Sequence, residues 1–178
     1  IDRARGLLRR MEKEDKHYIF FVFASAEIIT ELGIDFLVRL GVGGVWMGIE
    51  TPKPMFEKLE GIDPHALVKD LQANGITVIS SSILFLEHHD RETLDREIDW
   101  AVSVESDMHQ FMQLTPLPGT PLFNRYQAEG RLIPDFPYTK MSGQNVLNFV
   151  HPHFKAEEAM EITREAFRRA YRKNGPSV

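Results

Sequence analysis

The chain contains no cysteine. Disulfides, thiolate metal sites and thiol nucleophiles are therefore excluded within its 178 residues. It has no apolar run long enough to cross a bilayer, and no basic-then-apolar leader pattern at its start. With no export signal, the expected compartment is cytoplasmic. An excess of positive charge is missing too: 21 Lys and Arg stand against 26 Asp and Glu, for a net charge of −5. That balance argues against nucleic acid or an anionic membrane surface as a partner. Also absent is a glycine-rich phosphate loop between a strand and a helix. Gly41-Val42-Gly43-Gly44 precedes a strand instead, and reads as a helix cap followed by a tight turn.

What is present is a chain with 43% hydrophobic and 26% charged residues, enough to bury one sizeable core. It opens on Ile1 directly inside a basic helical segment, as a piece of a longer protein would. Leu7, Leu8 and Met11 give that segment, up to Lys16, one apolar stripe. Tyr18 to Phe23 is dense in aromatic and β-branched residues and reads as a first strand. Thr30 is placed to cap a helix with Phe36, Leu37 and Leu40 on its apolar face and Gly41 at its end. Val45 to Ile49 is a short apolar run read as a strand buried on both faces, ending at Glu50.

Pro52 to Glu60 reads as a short helical turn. Asp63-Pro64 then starts a helix carrying Leu67, Val68 and Leu71, closed by Asn74-Gly75. Ile76 to Phe85 is the third strand, interrupted by Ser80, Ser81 and Ser82, and Asp90 caps a helix with Leu94, Ile98, Ala101 and Val102 inward. Met108 to Leu114 is the fourth strand. Beyond it come a rigid Thr115 to Pro121 turn, a short helix over Leu122 to Gly130, and an irregular connector to about Phe154. A C-terminal amphipathic helix over Lys155 to Lys173 follows, with Met160, Phe167, Ala170 and Tyr171 on one side. The fold class is α/β: about four parallel strands with outer helices, over residues 1–130, plus a connector and helical extension over residues 131–178.

In such a fold, chemistry collects at the C-terminal ends of the strands, where Glu50 sits. A carboxylate there must be paired or wet, so Glu50 is either a site residue or half of a salt bridge. The three serines in an apolar strand need partners: they either bond within the protein or face a cavity. Gln110 and Gln113 are placed to line the same mouth. Glu87-His88-His89-Asp90 lacks helical metal-ligand spacing, and adjacent loop histidines cannot both address one ion without strain. That tetrapeptide is expected to be a solvated loop, or to bring one histidine near a ligand. The alternating His151 and His153 carry still less signal.

Trp46-Met47-Gly48-Ile49-Glu50, the Ile76 to Phe85 strand, and Gln110-Phe111-Met112-Gln113-Leu114-Thr115-Pro116-Leu117-Pro118-Gly119-Thr120-Pro121-Leu122-Phe123 together resemble the latter part of radical S-adenosylmethionine enzymes. The resemblance is to the group with an N-terminal cobalamin-binding domain, named as iron–sulfur oxidoreductases. It implies a partial (β/α) barrel of six strands, of which this chain supplies the third to sixth. It also implies a three-cysteine loop holding a [4Fe-4S] cluster and a glycine-rich turn for the methionine moiety, both upstream of Ile1. Positions that contact S-adenosylmethionine map onto Glu50, Ser81 and Thr115, the last largely through backbone to the adenine.

The departures are Phe23-Ala24-Ser25, where the family often has a polar or charged residue, and Phe85 to Asp90, where a Gly-Leu-Pro-Gly-Glu-Thr loop is usual. The whole protein is then expected to cleave S-adenosylmethionine at the cluster, giving a 5′-deoxyadenosyl radical that takes hydrogen from an organic substrate. Cobalamin use is left open, and the 178-residue piece alone is expected to be inactive. Exposure of the Tyr18 to Phe23 edge would favour self-association, or its capping by a helix from elsewhere in the chain. The competing readings are a non-catalytic β/α domain that binds a nucleotide-like ligand or a partner protein, and a metal-dependent hydrolase half-barrel.

Overall fold

A computed structural model of the chain describes residues 1–49, 61–144 and 146–175. Its elements are α1 (Asp2–Glu14), β1 (Phe20–Phe23), α2 (Ala26–Leu32), α3 (Ile34–Leu40), β2 (Val42–Gly48), α4 (Pro64–Ala73), β3 (Thr77–Leu84), α5 (Arg91–Ser103), β4 (Met108–Gln113), α6 (Pro121–Ala128) and α7 (Ala156–Asn174). The four strands form one parallel sheet in chain order, β1-β2-β3-β4. This is the α/β architecture that the strand–helix alternation implied. The short turn expected over Pro52 to Glu60 lies outside the described residues. No helix among the described residues is long and apolar enough to cross a membrane.

The chain divides into two compact units. The first holds Ile1–Ser81 and Ser103–His109, and the second Ser82–Val102 and the described residues from Gln110 onward.

In the first unit the period-2 alternation of a strand decides everything. Register sets Val22 beside Val45 beside Val78, and Phe23 beside Trp46 beside Ile79. Val45, Met47, Val78 and Ser80 are all buried, whereas Phe21 and Phe23 on the other face stand exposed. Each fully buried Val or Met contributes about 1.5–3 kcal/mol, so one face is a core and the other an apolar wall. α3 packs on β2 and α1 on α3. Leu8, Met11, Leu37 and Leu40 are the inward side chains of those two helices.

Two expectations change here. Ser25, not Thr30, is the N-cap: its hydroxyl accepts from the Ile28 N–H at 3.4 Å, while Thr30 lies inside α2 and donates to the Ala26 carbonyl. Gly33 then separates α2 from α3. The glycine run is also more than a turn. Gly41 does cap α3 in the left-handed region, with φ 86°. Gly43 and Gly44 belong to β2, and a Cβ on Gly44 would fall 2.6 Å from the Phe21 ring. Glycine there lets an aromatic ring lie flat on the neighbouring strand.

In the second unit, the Leu114 N–H donates to Leu84 O at 2.8 Å at the strand ends. Asp90 caps α5 as its position implied, with Oδ1 accepting from the Thr93 N–H at 2.7 Å. Thr120 caps α6, whose first residue is Pro121. The connector is pinned by an antiparallel bridge between Leu132 and Phe149. α7 buries Ala159, Thr163, Ala166 and Ala170 rather than the large residues of the expected stripe, and Tyr171 is 62% exposed. Small side chains let this helix approach closely, and Phe167 meets Phe111 edge-on at 5.3 Å from its rim.

Candidate functional site

At the C-terminal ends of β1 and β2 lies a cavity of about 520 Å³ lined by Phe23, Ala24, Ser25, Ala26, Trp46, Gly48 and Ser81. Cross-strand register creates it. Phe23 and Trp46 are partners, and their rings stack at 5.0 Å with an interplanar angle of 27°. Two residues further along β2, Gly48 is partnered with Ser81 and puts no side chain into the space. The backbone continues to Ile49, whose N–H donates to Ser81 O at 2.9 Å. Glu50, the residue the sequence singled out, lies outside the described residues.

Ser81 faces the cavity while its neighbour Ser80 faces the core, so the serine run realises both of the roles open to it. Ser80 is fully buried, with its Oγ 2.5 Å from Ser106 Oγ and 2.7 Å from His109 Nδ1. Proton bookkeeping fixes the direction of this chain. Ser106 donates to the Met108 carbonyl at 3.0 Å, so it accepts from Ser80, and Ser80 accepts from His109 Nδ1–H. A serine nucleophile needs the histidine as acceptor, and here the histidine is the donor. Burial pushes the His109 imidazole down to about 4, so the ring is neutral at pH 7. The Ser–His–Ser trio is a structural relay.

Thr115 belongs to the second unit. Its hydroxyl donates to Gln113 O at 3.0 Å, and the turn after it is held by Asn148 Nδ2 donating to Pro116 O at 2.8 Å. Gln113 does not line a mouth, contrary to expectation. Alternation places it on the same face as buried Phe111, and its amide donates to Thr163 of α7 at 3.0 Å. Gln110 lies on the opposite face and donates to Met112 Sδ at 3.0 Å.

The histidine loop is not solvated. His89 is fully buried, and both histidines converge on one carboxylate: His88 Nε2 is 3.2 Å from Glu97 Oε1 and His89 Nε2 is 2.5 Å from Oε2. Burial alone would raise the Glu97 carboxyl, but hydrogen bonds from His89 and His88 hold it below the usual range. The three side chains are close enough to hold a metal ion. The proton count argues otherwise. His89 Nδ1 accepts from the Leu86 N–H at 3.0 Å, so its only proton is on Nε2. A metal at Nε2 would demand an imidazolate, whereas a histidine ligand ordinarily donates from its other nitrogen. His151 Nε2 donates to the Leu86 carbonyl at 3.0 Å, so two histidines satisfy both backbone groups of one residue. They steady a turn whose preceding residue, Phe85, is buried at φ 64°, an uncommon conformation for that side chain. Glu87 on the same loop pairs with Arg125 at 2.5 Å and Arg131 at 2.6 Å. The Arg131 guanidinium lies 4.0 Å over the Tyr126 ring.

Of the three residues expected to contact a cofactor, Ser81 is on a cavity wall, Thr115 is in the other unit, and Glu50 is not described. Sequence reasoning missed Phe23, Trp46 and Gly48 as lining. Alternation carried the signal, since all three share Ser81's face once the register is known.

No protein-family model matches the chain. Among curated proteins, hopanoid C-2 methylase of Rhodopseudomonas palustris (strain TIE-1) is 28% identical over 133 residues, covering 71% of this chain and 24% of that protein. Two solved structures of TsrM, a radical S-adenosylmethionine methyltransferase from Kitasatospora setae, share the fold. The one with tryptophan substrate and the cofactor analogue aza-SAM gives a TM-score of 0.58 at 19% identity, over 71% of this chain and 26% of that one. The one with cobalamin and a [4Fe-4S] cluster gives 0.59 at 18% identity, over 93% and 31%. The chain spans about a quarter of the curated relative's length. It thus resembles one portion of the radical S-adenosylmethionine enzymes, in the motifs around Glu50 and Thr115 and in its parallel sheet.

Proposed function

We propose that this chain is the cofactor- and substrate-facing part of a radical S-adenosylmethionine enzyme, one that methylates an organic substrate. The cavity at the C-terminal ends of adjacent parallel strands, with Ser81 in its wall, carries the reading. Its support from relatives is that one is named a methylase and the other a methyltransferase. Methyl transfer replaces the less specific oxidoreductase role that the sequence suggested.

S-adenosylmethionine would find a hydrogen-bonding group in Ser81, a hydroxyl at a strand end beside Gly48. When bound it supplies the methyl group or the radical. Glu50, Ser81 and Thr115 are the residues proposed to hold it, through a carboxylate, a hydroxyl and a backbone contact. A [4Fe-4S] cluster does not fit this chain, which offers no thiolate. Its ligands, and any cobalamin site, would belong to other parts of a longer protein. What these residues do is bind and orient.

Equilibrium binding of S-adenosylmethionine to the longer protein and to its Glu50→Gln and Ser81→Ala variants tests this. A lost charge-assisted contact of roughly 1.5–3 kcal/mol weakens affinity about tenfold or more for Glu50→Gln. Unchanged affinity in both variants, with lowered melting temperatures, would make these residues structural and remove the reading.

A further inference from the structure

We propose that the connector of the second unit forms a binding site for a ligand with an apolar body and a protonated amine, whose N–H is accepted by Asn148. The inference goes beyond the cofactor reading above and does not rest on it, since other residues line this cavity.

The cavity measures about 470 Å³, the size of a small-molecule site, and is lined by Phe123 of α6 and by connector residues that include Asp135, Phe136, Tyr138 and Asn148. Asn148 is 1% exposed, and its side-chain oxygen has no hydrogen-bond partner among the described residues. The other end of the amide identifies that atom. Nδ2 lies 2.8 Å from the Pro116 carbonyl, which only accepts, so the nitrogen faces it and the oxygen is what remains. The residue is also fixed in place. Its backbone carbonyl accepts from the Ile133 N–H at 3.0 Å, and Leu147 and Phe149 on either side are each 1% exposed. A buried acceptor without a donor is costly and uncommon, so its position calls for a donor from the cavity.

Two further features narrow the donor to a cationic amine. Asp135, two residues beyond Ile133, brings an exposed carboxylate to the same lining. Phe123, Phe136 and Tyr138 supply aromatic surface, which takes an apolar body and favours a cation near the rings. A hydroxyl would meet only the need of Asn148, and a quaternary ammonium only that of Asp135. One protonated amine meets both, carrying the proton that the amide oxygen lacks and the charge that the carboxylate answers.

The test is an NMR titration of the chain at pH 7 with 2-phenylethylamine as the probe. Two analogues run beside it: 2-phenylethanol keeps a donor without the charge, and (2-phenylethyl)trimethylammonium keeps the charge without a donor. The amine should bind saturably and shift the Asn148 side-chain amide signals. The trimethylated compound should bind about tenfold or more weakly, and the alcohol about threefold or more weakly. Asp135→Asn suits the left-handed backbone at φ 52° and should narrow the gap between amine and alcohol. If that variant does not fold, the three compounds carry the test on the wild type alone. Absence of saturable binding overturns the inference and leaves the Asn148 oxygen to a buried water. Trimethylated compound bound as tightly as the amine overturns it too, since the rings would then be a general cation trap. An unchanged gap in Asp135→Asn removes the carboxylate and with it the amine class. Excess S-adenosylmethionine should not displace the probe, and displacement would assign this cavity to the cofactor and overturn a further site.

Discussion

Acid should loosen the first unit through one side chain. His109 is held neutral by burial, with its pKa pushed down to about 4, against about 6.5 for an ordinary histidine. Its Nδ1–H is spent on Ser80, whose own proton goes to Ser106. The folded protein therefore binds this proton more weakly than the unfolded chain does. The stability contribution is complete above pH 6.5 and declines as the pH falls toward 4. Linkage between those two values gives a loss of about 2 kcal/mol by pH 5 and about 3 kcal/mol by pH 4. Other groups titrate in the same window, chiefly carboxylates, so the difference between proteins is what isolates His109.

Urea unfolding of the wild type and of His109→Gln at half-unit steps from pH 7.5 to 4 measures it. The variant starts less stable, because the relay has lost its ring donor, and the two curves converge by about 3 kcal/mol as the pH falls. An NMR titration of the His109 ring gives the midpoint directly. A midpoint near 6.5, or parallel stability curves, would refute the buried neutral ring and the donor order of the relay with it.

Three more outcomes follow from the geometry. Glu97→Ala strands the Nε2–H of fully buried His89 and should cost about 1–3 kcal/mol in chemical denaturation, while zinc should leave the wild-type melting temperature unmoved. A melting temperature that rises and saturates with micromolar zinc would restore His88, His89 and Glu97 as a metal site. Anaerobic treatment of this chain with iron and sulfide should give no stoichiometric cluster absorbance, since it has no cysteine, and such a spectrum would require another ligand set. Because β1 is the terminal strand of the sheet, with Ile19 88% exposed beside it, light scattering should show self-association that Phe21→Lys suppresses. A strict monomer at high concentration counts against that edge.

Local chemistry explains how much of this was legible beforehand. Asp63-Pro64 and Asp90 announce helix starts through their own side chains and φ, so α4 and α5 were readable to within a residue or so. Strands β3 and β4 follow from their composition. Thr30 misled because Ser25 is an equally good cap one turn earlier, and only Gly33 breaking the helix decides between them. β2 begins at Val42, not Val45, because the side chains of Ile19, just before β1, and Phe21, within it, lie over Gly43 and Gly44, a contact with no local trace. The histidine loop was misread for a similar reason. Its partner, Glu97, sits two turns into the next helix, and nothing in Glu87 to Asp90 shows that a carboxylate waits there.

The three consecutive serines show why a site in this fold is hard to see in the chain yet simple in the structure. A strand sends successive side chains to opposite faces, so neighbours of identical chemistry receive opposite duties. Ser80 meets the helix-side core, where an unsatisfied hydroxyl is costly, and it is satisfied twice over, by Ser106 and His109. Ser81 meets the open face beside Gly48, where a ligand can supply its partner. The same rule sends Met47 into the core and Trp46 to the cavity, and Phe111 to α7 and Gln110 away from it. Register, which is a property of strand pairs and not of any one strand, is therefore what turns a run of ordinary residues into a lined cavity. Once Phe23 is beside Trp46 and Gly48 beside Ser81, an apolar wall and a polar rim meet at the strand ends, and the placement of the site needs no unusual residue at all.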